Sequence, residues 1–321
     1  MGIDHPDDAG LPPDEHSDHR ANRADRAERA EGSHGGVQVE TRYRQEYYDD
    51  LRAAVSTEEK PRQPTEEDRA KADGWAETAE LSRWMWTEYR RRWPPEERPP
   101  VDRSGDPPGS WRAEGDRFFD RPVNQRIEGA CDRVEEREQE RISPTLRDTE
   151  SQDQDRHLIG LEHRLKGRDR IKEKIYGTIK DFNRSPEEAV SLVPDAIRYT
   201  FQYDEARYTQ GVRADIARLK DEGFELDKLR NAWSDDQYKG INSQWIDQGS
   251  GQRFEVQFHT RISFEAKQLT HGAYERLRAG QPDKFEQMVL EAFQKKVTAE
   301  VPIPPCATDI PDYTNRGRDA R

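Results

Sequence analysis

Cysteine is nearly absent from this 321-residue chain, with only Cys131 and Cys306 present. That count supports neither a disulfide framework nor a cysteine-ligated zinc site. Hydrophobic residues are sparse too, 31% against 37% charged, and no run approaches the ~20 apolar residues of a membrane helix. The segment from Met1 to Gly10 has neither the basic start nor the apolar stretch of a secretory signal. Residence in the cytoplasm, or export by a route that uses no such signal, is therefore expected. A net charge of -13 weighs against a nonspecific nucleic-acid binder. No glycine-rich phosphate loop of the P-loop kind occurs, and no motif supports Ser/His/Asp catalysis. His5, His16 and His19 lie among aspartates with no helix pattern around them, which argues against a metal-dependent hydrolase domain.

A fully globular chain of this length would bury a larger core, so one compact domain with long polar flanks is expected. Residues 1–40 read as a disordered polar arm. The stretch 41–125 holds five of the seven tryptophans, Trp75, Trp84, Trp86, Trp93 and Trp111. Its helical part, Trp75 to Trp93, spaces Leu81, Trp84, Met85 and Tyr89 as one apolar face that docks on the C-terminal domain or on a partner. Residues 126–300 read as a packed domain and 301–321 as a loose tail.

Within that domain helices are expected over Gln125–Arg141, Leu146–His163 and Arg168–Phe182, and a further helix starts at Ser185-Pro186. Strands are expected at Asp195–Tyr203, Phe224–Trp233, Gly240–Asp247 and Gln252–Thr260, with a hairpin turn at Gln248–Gly251. Helices Ala206–Glu222, Ser263–Ala279 and Pro282–Glu300 complete the pattern. The last strand alternates Phe254, Val256 and Phe258 with Glu255, Gln257 and His259, so one face is apolar and the other carries chemistry. Asp195 opens another strand. Two carboxylates from neighbouring strands suit a Mg²⁺ ion that also holds a triphosphate, because Mg²⁺ keeps waters and takes one or two protein carboxylates beside phosphate oxygens. Upstream, His163-Arg164-Leu165-Lys166-Gly167-Arg168 and the following Arg170, Lys172 and Lys174 form a basic cluster at a loop-to-helix junction, a setting that receives polyphosphate.

Taken in order, Arg164, Lys166 and Lys174, then Asp195 and Arg198, a tyrosine loop at 238–242, and Glu255-Val-Gln-Phe-His-Thr260 give a chain that resembles the RelA/SpoT-type pyrophosphokinases. These are alarmone synthetases that move the β,γ-pyrophosphate of ATP onto a nucleotide 3′-hydroxyl. The likeness runs over about 145–280 and is strongest to the compact, hydrolase-free versions found among actinobacterial secreted enzymes and polymorphic toxins. It implies a nucleotidyltransferase-like α/β (α+β) fold, with a mixed, mostly antiparallel sheet of four or five strands flanked by helices.

The resemblance also implies roles. Arg164 and Arg198 stack on the two faces of the ATP adenine, as flat guanidinium groups do well. Lys166 and Lys174 hold the ATP phosphates. Asp195 ligates Mg²⁺, and Glu255 completes the metal site, serves as base on the 3′-hydroxyl, or does both. Tyr238 stacks on the acceptor base, Gln257 and His259 orient these groups, and Asn242 stands where the family has a histidine. His271 and Tyr274, one helical turn apart, contact the nucleotide or pack helix on sheet.

Three readings of function follow. The leading one is Mg²⁺-dependent pyrophosphate transfer from ATP to a purine nucleotide, as a toxin or effector with a neutralising immunity protein as partner. A second makes the 3′ end of tRNA the acceptor, bound by Arg168, Arg170, Lys172, Lys180 and Arg184. A third is a degenerate nucleotide-binding module, supported by Arg170 in place of a small hydroxyl residue, by Asn242, and by the acidic Asp235-Asp236 loop.

Overall fold

The computed structural model describes residues 42–56, 63–95, 101–279 and 282–315. The chain divides into two units, Met1–Tyr47 with Arg316–Arg321, and Tyr48–Asn315. Of the first, only the helical residues 42–47 are described, and the expected polar arm 1–40 lies outside the described residues.

Helix α1 covers 42–56. Helix α2, Glu66–Arg92, starts nine residues before the expected tryptophan because Thr65 caps it, accepting from the Asp68 N–H at 3.0 Å. Acids in its first turn and Arg90–Arg92 in its last complement the helix dipole. A hairpin of β1 (Trp111–Ala113) and β2 (Arg117–Phe119) precedes α3, Arg121–Arg137. The chain then passes through a π turn, Glu138–Ile142, into α4, Ser143–Ser151. The expected helix over 146–163 is corrected here: it stops at Ser151, and Arg156–Ile159 form strand β3. Four residues of edge strand are too short to impose a period on the sequence, which is why the segment read as helix.

Helices α5 (Arg168–Asp181) and α6 (Pro186–Ser191) follow, α6 capped by Ser185 as its sequence implies. Then come β4 (Arg198–Tyr203), α7 (Tyr208–Asp221), β5 (Phe224–Asn231), β6 (Ile241–Asp247) and β7 (Arg253–Thr260). Helices α8 (Arg261–Ala279) and α9 (Lys284–Ala299) and the two-residue β8 (Tyr313–Thr314) complete the order. The sheet is mixed and mostly antiparallel, in the order β3-β4-β7-β6-β5-β8, and only β4 and β7 run parallel. It has six strands; β3 and β8 are the two edges that no sequence pattern announced.

Alternation decides what each face does. Tyr199, Phe201 and Tyr203 of β4 lie beside Val256 and Phe258 of β7 and are buried. Helix α7 covers this face, with Tyr208 set edge-on to Tyr203 and its hydroxyl donating to the Phe258 carbonyl at 2.9 Å. The opposite face carries Arg198, Thr200 and Gln202 level with Glu255, Gln257 and His259.

The tryptophan helix docks within the same unit, but not by the expected face: Leu81 and Trp84 are exposed, and Trp75, Ala79 and Ser82 are buried instead. The Trp75 indole N–H donates to Glu265 of α8 at 2.6 Å, and Trp86 stacks on Phe293 of α9. The segment read as a loose tail is corrected over 301–315. Val301, Ala307, Ile310 and Tyr313 are buried, and Asn231 donates to the carbonyls of Ala307 and Ile310. A few apolar anchors between prolines suffice to pin that stretch. No helix among the described residues is long and apolar enough to cross a membrane.

Candidate active site

Three chain segments meet at one end of the parallel pair. Backbone bonds from Lys166 N–H to the Ala196 carbonyl (3.0 Å) and from Arg198 N–H to the Arg164 carbonyl (2.7 Å) zip 164–166 against 196–198. On the other side, Glu255 N–H donates to the Ile197 carbonyl at 2.9 Å. Ile197 is fully buried, so this junction is anchored in the core while its charged neighbours face outward.

Those neighbours converge. Arg198 Nε donates to Glu255 Oε1 at 2.9 Å, and its Nη2 donates to Asp195 Oδ2 at 3.2 Å. Lys166 Nζ lies 3.1 Å from Asp195 Oδ2, and Lys174 Nζ, from α5, lies 2.5 Å from Asp195 Oδ1. The carboxylates are enclosed, with 11% and 13% of the Asp195 and Glu255 side chains exposed, whereas 37% of Arg198 is exposed. Burial alone would raise the Asp195 carboxyl, but hydrogen bonding from Lys174 and the charge of Lys166 outweigh it and hold its pKa below the ordinary value.

Asp195 corrects the sequence reading. It sits not in the strand but in a 3₁₀ turn, Pro194–Ala196, before it. The alternation that would have set Asp195 and Arg198 on opposite faces therefore does not apply, and the turn folds the carboxylate back onto the guanidinium. Two acids held by one guanidinium give a hard, oxygen-only donor pair, which fits a Mg²⁺ ion sharing phosphate oxygens. Among the described residues no cluster of three or more His, Cys, Asp or Glu gathers to hold a metal.

Arg164 is engaged by its neighbours. Its Nε donates to Glu138 Oε1 at 2.9 Å, and Tyr199 donates its hydroxyl proton to the same oxygen. Glu138, fully buried in the π turn, was not read from the sequence. A lone glutamate in a charge-rich helix gives no sign of burial.

The acceptor-side candidates form a second chain of contacts. Tyr238 Oη donates to Asn242 Oδ1 at 2.8 Å and lies 2.8 Å from His259 Nε2. A phenol has one proton, so with that proton on Asn242 the imidazole must donate from Nε2. Its Nδ1 then accepts from Ser263 Oγ, 2.9 Å away. Burial keeps the His259 pKa well below its ordinary value, so the ring is neutral as this chain of donors requires. The Tyr238 ring is held edge-on to His259 and is partly buried.

Gln257 stands between Glu255 and helix α8. It donates to Glu255 Oε1 and accepts from Lys267 Nζ of α8. Lys267 was also missed. Its only sequence signal is a place midway between Ser263 and His271 at four-residue spacing, which puts all three on one helix face. His271 itself is exposed, as is Tyr274, so neither packs helix on sheet.

Three features that had weakened the assignment read differently in place. Arg170 points outward, 77% exposed and paired with Glu173, and leaves the Asp195 cluster unobstructed. Asp235 is neutralised by Arg230 at 2.5 Å and Asp236 by Lys295 at 2.9 Å. Asn242 accepts from Tyr238 rather than standing idle.

No family model matches this chain, and no curated protein matches it. Among solved structures it is similar to small alarmone synthetase 1 from Bacillus subtilis bound to its product pppGpp, at 12% identity over 56% of this chain and 89% of that one, with a TM-score of 0.33. It is similar to a GTP pyrophosphokinase family protein from Streptococcus pneumoniae at 12% identity, over 55% and 86% of the two chains, TM-score 0.34. A protein of Streptococcus mutans UA159, smu.1046c, is similar at 14% identity over 55% and 89%, TM-score 0.34.

Proposed function

We propose that this protein transfers the β,γ-pyrophosphate of ATP to the 3′-hydroxyl of a purine nucleotide. The observation that carries the reading is the Arg198 guanidinium bonded to both Asp195 and Glu255, with Lys166 and Lys174 closing on Asp195. Residues more than 80 positions apart in sequence bring two enclosed acids and three partly exposed cations to one place. Phosphoryl transfer needs little else, since positioning and charge neutralisation supply most of the acceleration.

In this reading Lys166 and Lys174 exchange Asp195 for ATP phosphate oxygens, and Arg164 and Arg198 turn their planes to the adenine. Asp195 and Glu255, freed of those cations, would hold Mg²⁺, which when bound neutralises charge on the phosphates. Glu255 takes the proton of the acceptor 3′-hydroxyl, that oxygen bonds the β-phosphorus, and the bond to the α,β-bridging oxygen breaks to release AMP. Tyr238 offers its ring to the acceptor base while its hydroxyl is anchored by Asn242 and His259. Unrestrained, such an enzyme would drain purine nucleotide pools, which fits a toxin or effector.

The tRNA alternative needs free cations, and four of the five in the proposed patch are already paired with carboxylates. Arg168 is held by Glu128, Asp132 and Glu135, Lys172 is buried on Glu128, and Arg184 pairs with Glu188. Incubation with γ-labelled ATP, Mg²⁺ and either purine nucleotides or tRNA separates the readings. Label on a nucleotide is expected, and label confined to tRNA would refute the proposed acceptor.

A further inference from the structure

The Gln257 amide lies between a cation and an anion, and it can face them in only one way. Lys267 Nζ donates to Gln257 Oε1, and Gln257 Nε2 donates to Glu255 Oε1. An ammonium has donors and no acceptor, and a carboxylate has acceptors and no donor. The reverse orientation would set a carbonyl against a carboxylate and an NH₂ against an ammonium. Gln257 is 4% exposed, so bulk water is poorly placed to replace either partner.

Helix α8 reaches this spot because it folds back along the strand that leads into it. Four helical residues advance about 6 Å and two strand residues about 6.6 Å, so the two repeats nearly match. Ser263 accordingly meets His259, and Lys267, one turn on, meets Gln257. Burial, with Arg198 nearby, pushes the Lys267 ammonium down to about 8, a sign of how little water reaches it.

We infer that Lys267 is a positioning residue for pyrophosphate transfer: by claiming the carbonyl end of Gln257 it aims the amide N–H at Glu255 and fixes the carboxylate that takes the acceptor proton. The inference rests on the reading of Glu255 as the base. Lys267 touches neither the proposed phosphate ligands nor Glu255 directly, and it acts through Gln257.

The test compares wild type, Lys267→Met, Lys267→Arg, Gln257→Ala and the Lys267→Met/Gln257→Ala double variant. Lys267→Met is expected to lower kcat about 10–100-fold, the usual effect of losing a group that orients a catalytic ligand, with the KM for ATP little changed. Lys267→Arg, still a pure donor, should retain most of kcat. In the Gln257→Ala background, Lys267→Met should cost nothing more, because coupled residues do not add. An additive loss, or a loss in KM alone, would overturn the inference. A readout independent of turnover is the side-chain amide NMR signal of Gln257 in ¹⁵N-glutamine-labelled protein, identified by its absence in Gln257→Ala. That signal should move in Lys267→Met and stay in Lys267→Arg; an unmoved signal in Lys267→Met refutes the inference. If wild type transfers no pyrophosphate, the Glu255 reading falls on that result, and the amide signal still decides whether Lys267 aims Gln257.

Discussion

Arg198 and Glu255 stand opposite each other across a parallel strand pair, and the guanidinium Nε donates to the carboxylate at 2.9 Å. The same guanidinium reaches Asp195, so one side chain ties the strand to the turn that precedes it. A one-residue slip of β4 against β7 would put Arg198 and Glu255 on opposite faces.

Replacing Arg198 by Ala should lower kcat/KM about 10–100-fold, comparable to losing a stacking partner worth about 1–3 kcal/mol to one base. Lys at this position should rescue little, since an ammonium has no flat face to lay on the adenine ring. Steady-state kinetics with ATP varied checks both. Recovery by Arg198→Lys would argue that charge alone matters here.

Asp195 ties the site to stability. Its carboxyl pKa is held below the ordinary value, burial notwithstanding, by Lys174 and Lys166. A depressed folded-state pKa means stabilisation that is present above the unfolded value of about 3.9 and lost as pH falls through the lower folded one. Urea denaturation of wild type and Asp195→Asn should therefore differ at neutral pH and converge in acid. A gap unchanged with pH would contradict the ion-pair account.

Gly240 brings the backbone of the tyrosine loop against His259. Its φ is +141°, and a Cβ there would lie 2.7 Å from the imidazole Cε1 and 3.1 Å from the Phe258 carbonyl. Gly240→Ala should destabilise the protein by about 1–3 kcal/mol, the range for overpacking and backbone strain. Gly129→Ala, inside α3 with only the Arg133 side chain near, should gain about 0.5–1 kcal/mol from helix propensity. Thermal melts of the two variants should move in opposite directions.

Gly272 on α8 lets the Trp86 indole of α2 lie against the helix backbone, where a Cβ would collide with the ring. Gly272→Ala should expel Trp86, shift tryptophan fluorescence toward that of an exposed indole, and cost about 1–3 kcal/mol. Unchanged fluorescence would show that α2 does not depend on this contact.

The polar face of β7 was legible because a two-residue period is local: Glu255, Gln257 and His259 could only share a face. Lys166 and Lys174 were legible as a basic cluster, and their shared contact with Asp195 agrees with it. Asp195 was misplaced by three residues of 3₁₀ turn, which Pro194 favours but which a strand pattern running up to the carboxylate hid. Glu138 and Lys267 were not legible, because a charged residue in a helix normally faces water and only tertiary packing turned these two inward. The same holds for β3 and β8, short edges defined by their partners rather than by their own residues.

The most direct test of the central claim is to incubate the protein with Mg²⁺, ATP and each purine nucleotide and resolve the products by mass, beside a Glu255→Gln sample. Wild type should give AMP and an acceptor bearing two added phosphoryl groups in equal amounts, and Glu255→Gln about 10²–10⁴-fold less of both, as loss of a general base predicts. Equal product from the two samples, or none from wild type with ATP bound, would contradict a pyrophosphate transfer site built on Asp195, Arg198 and Glu255.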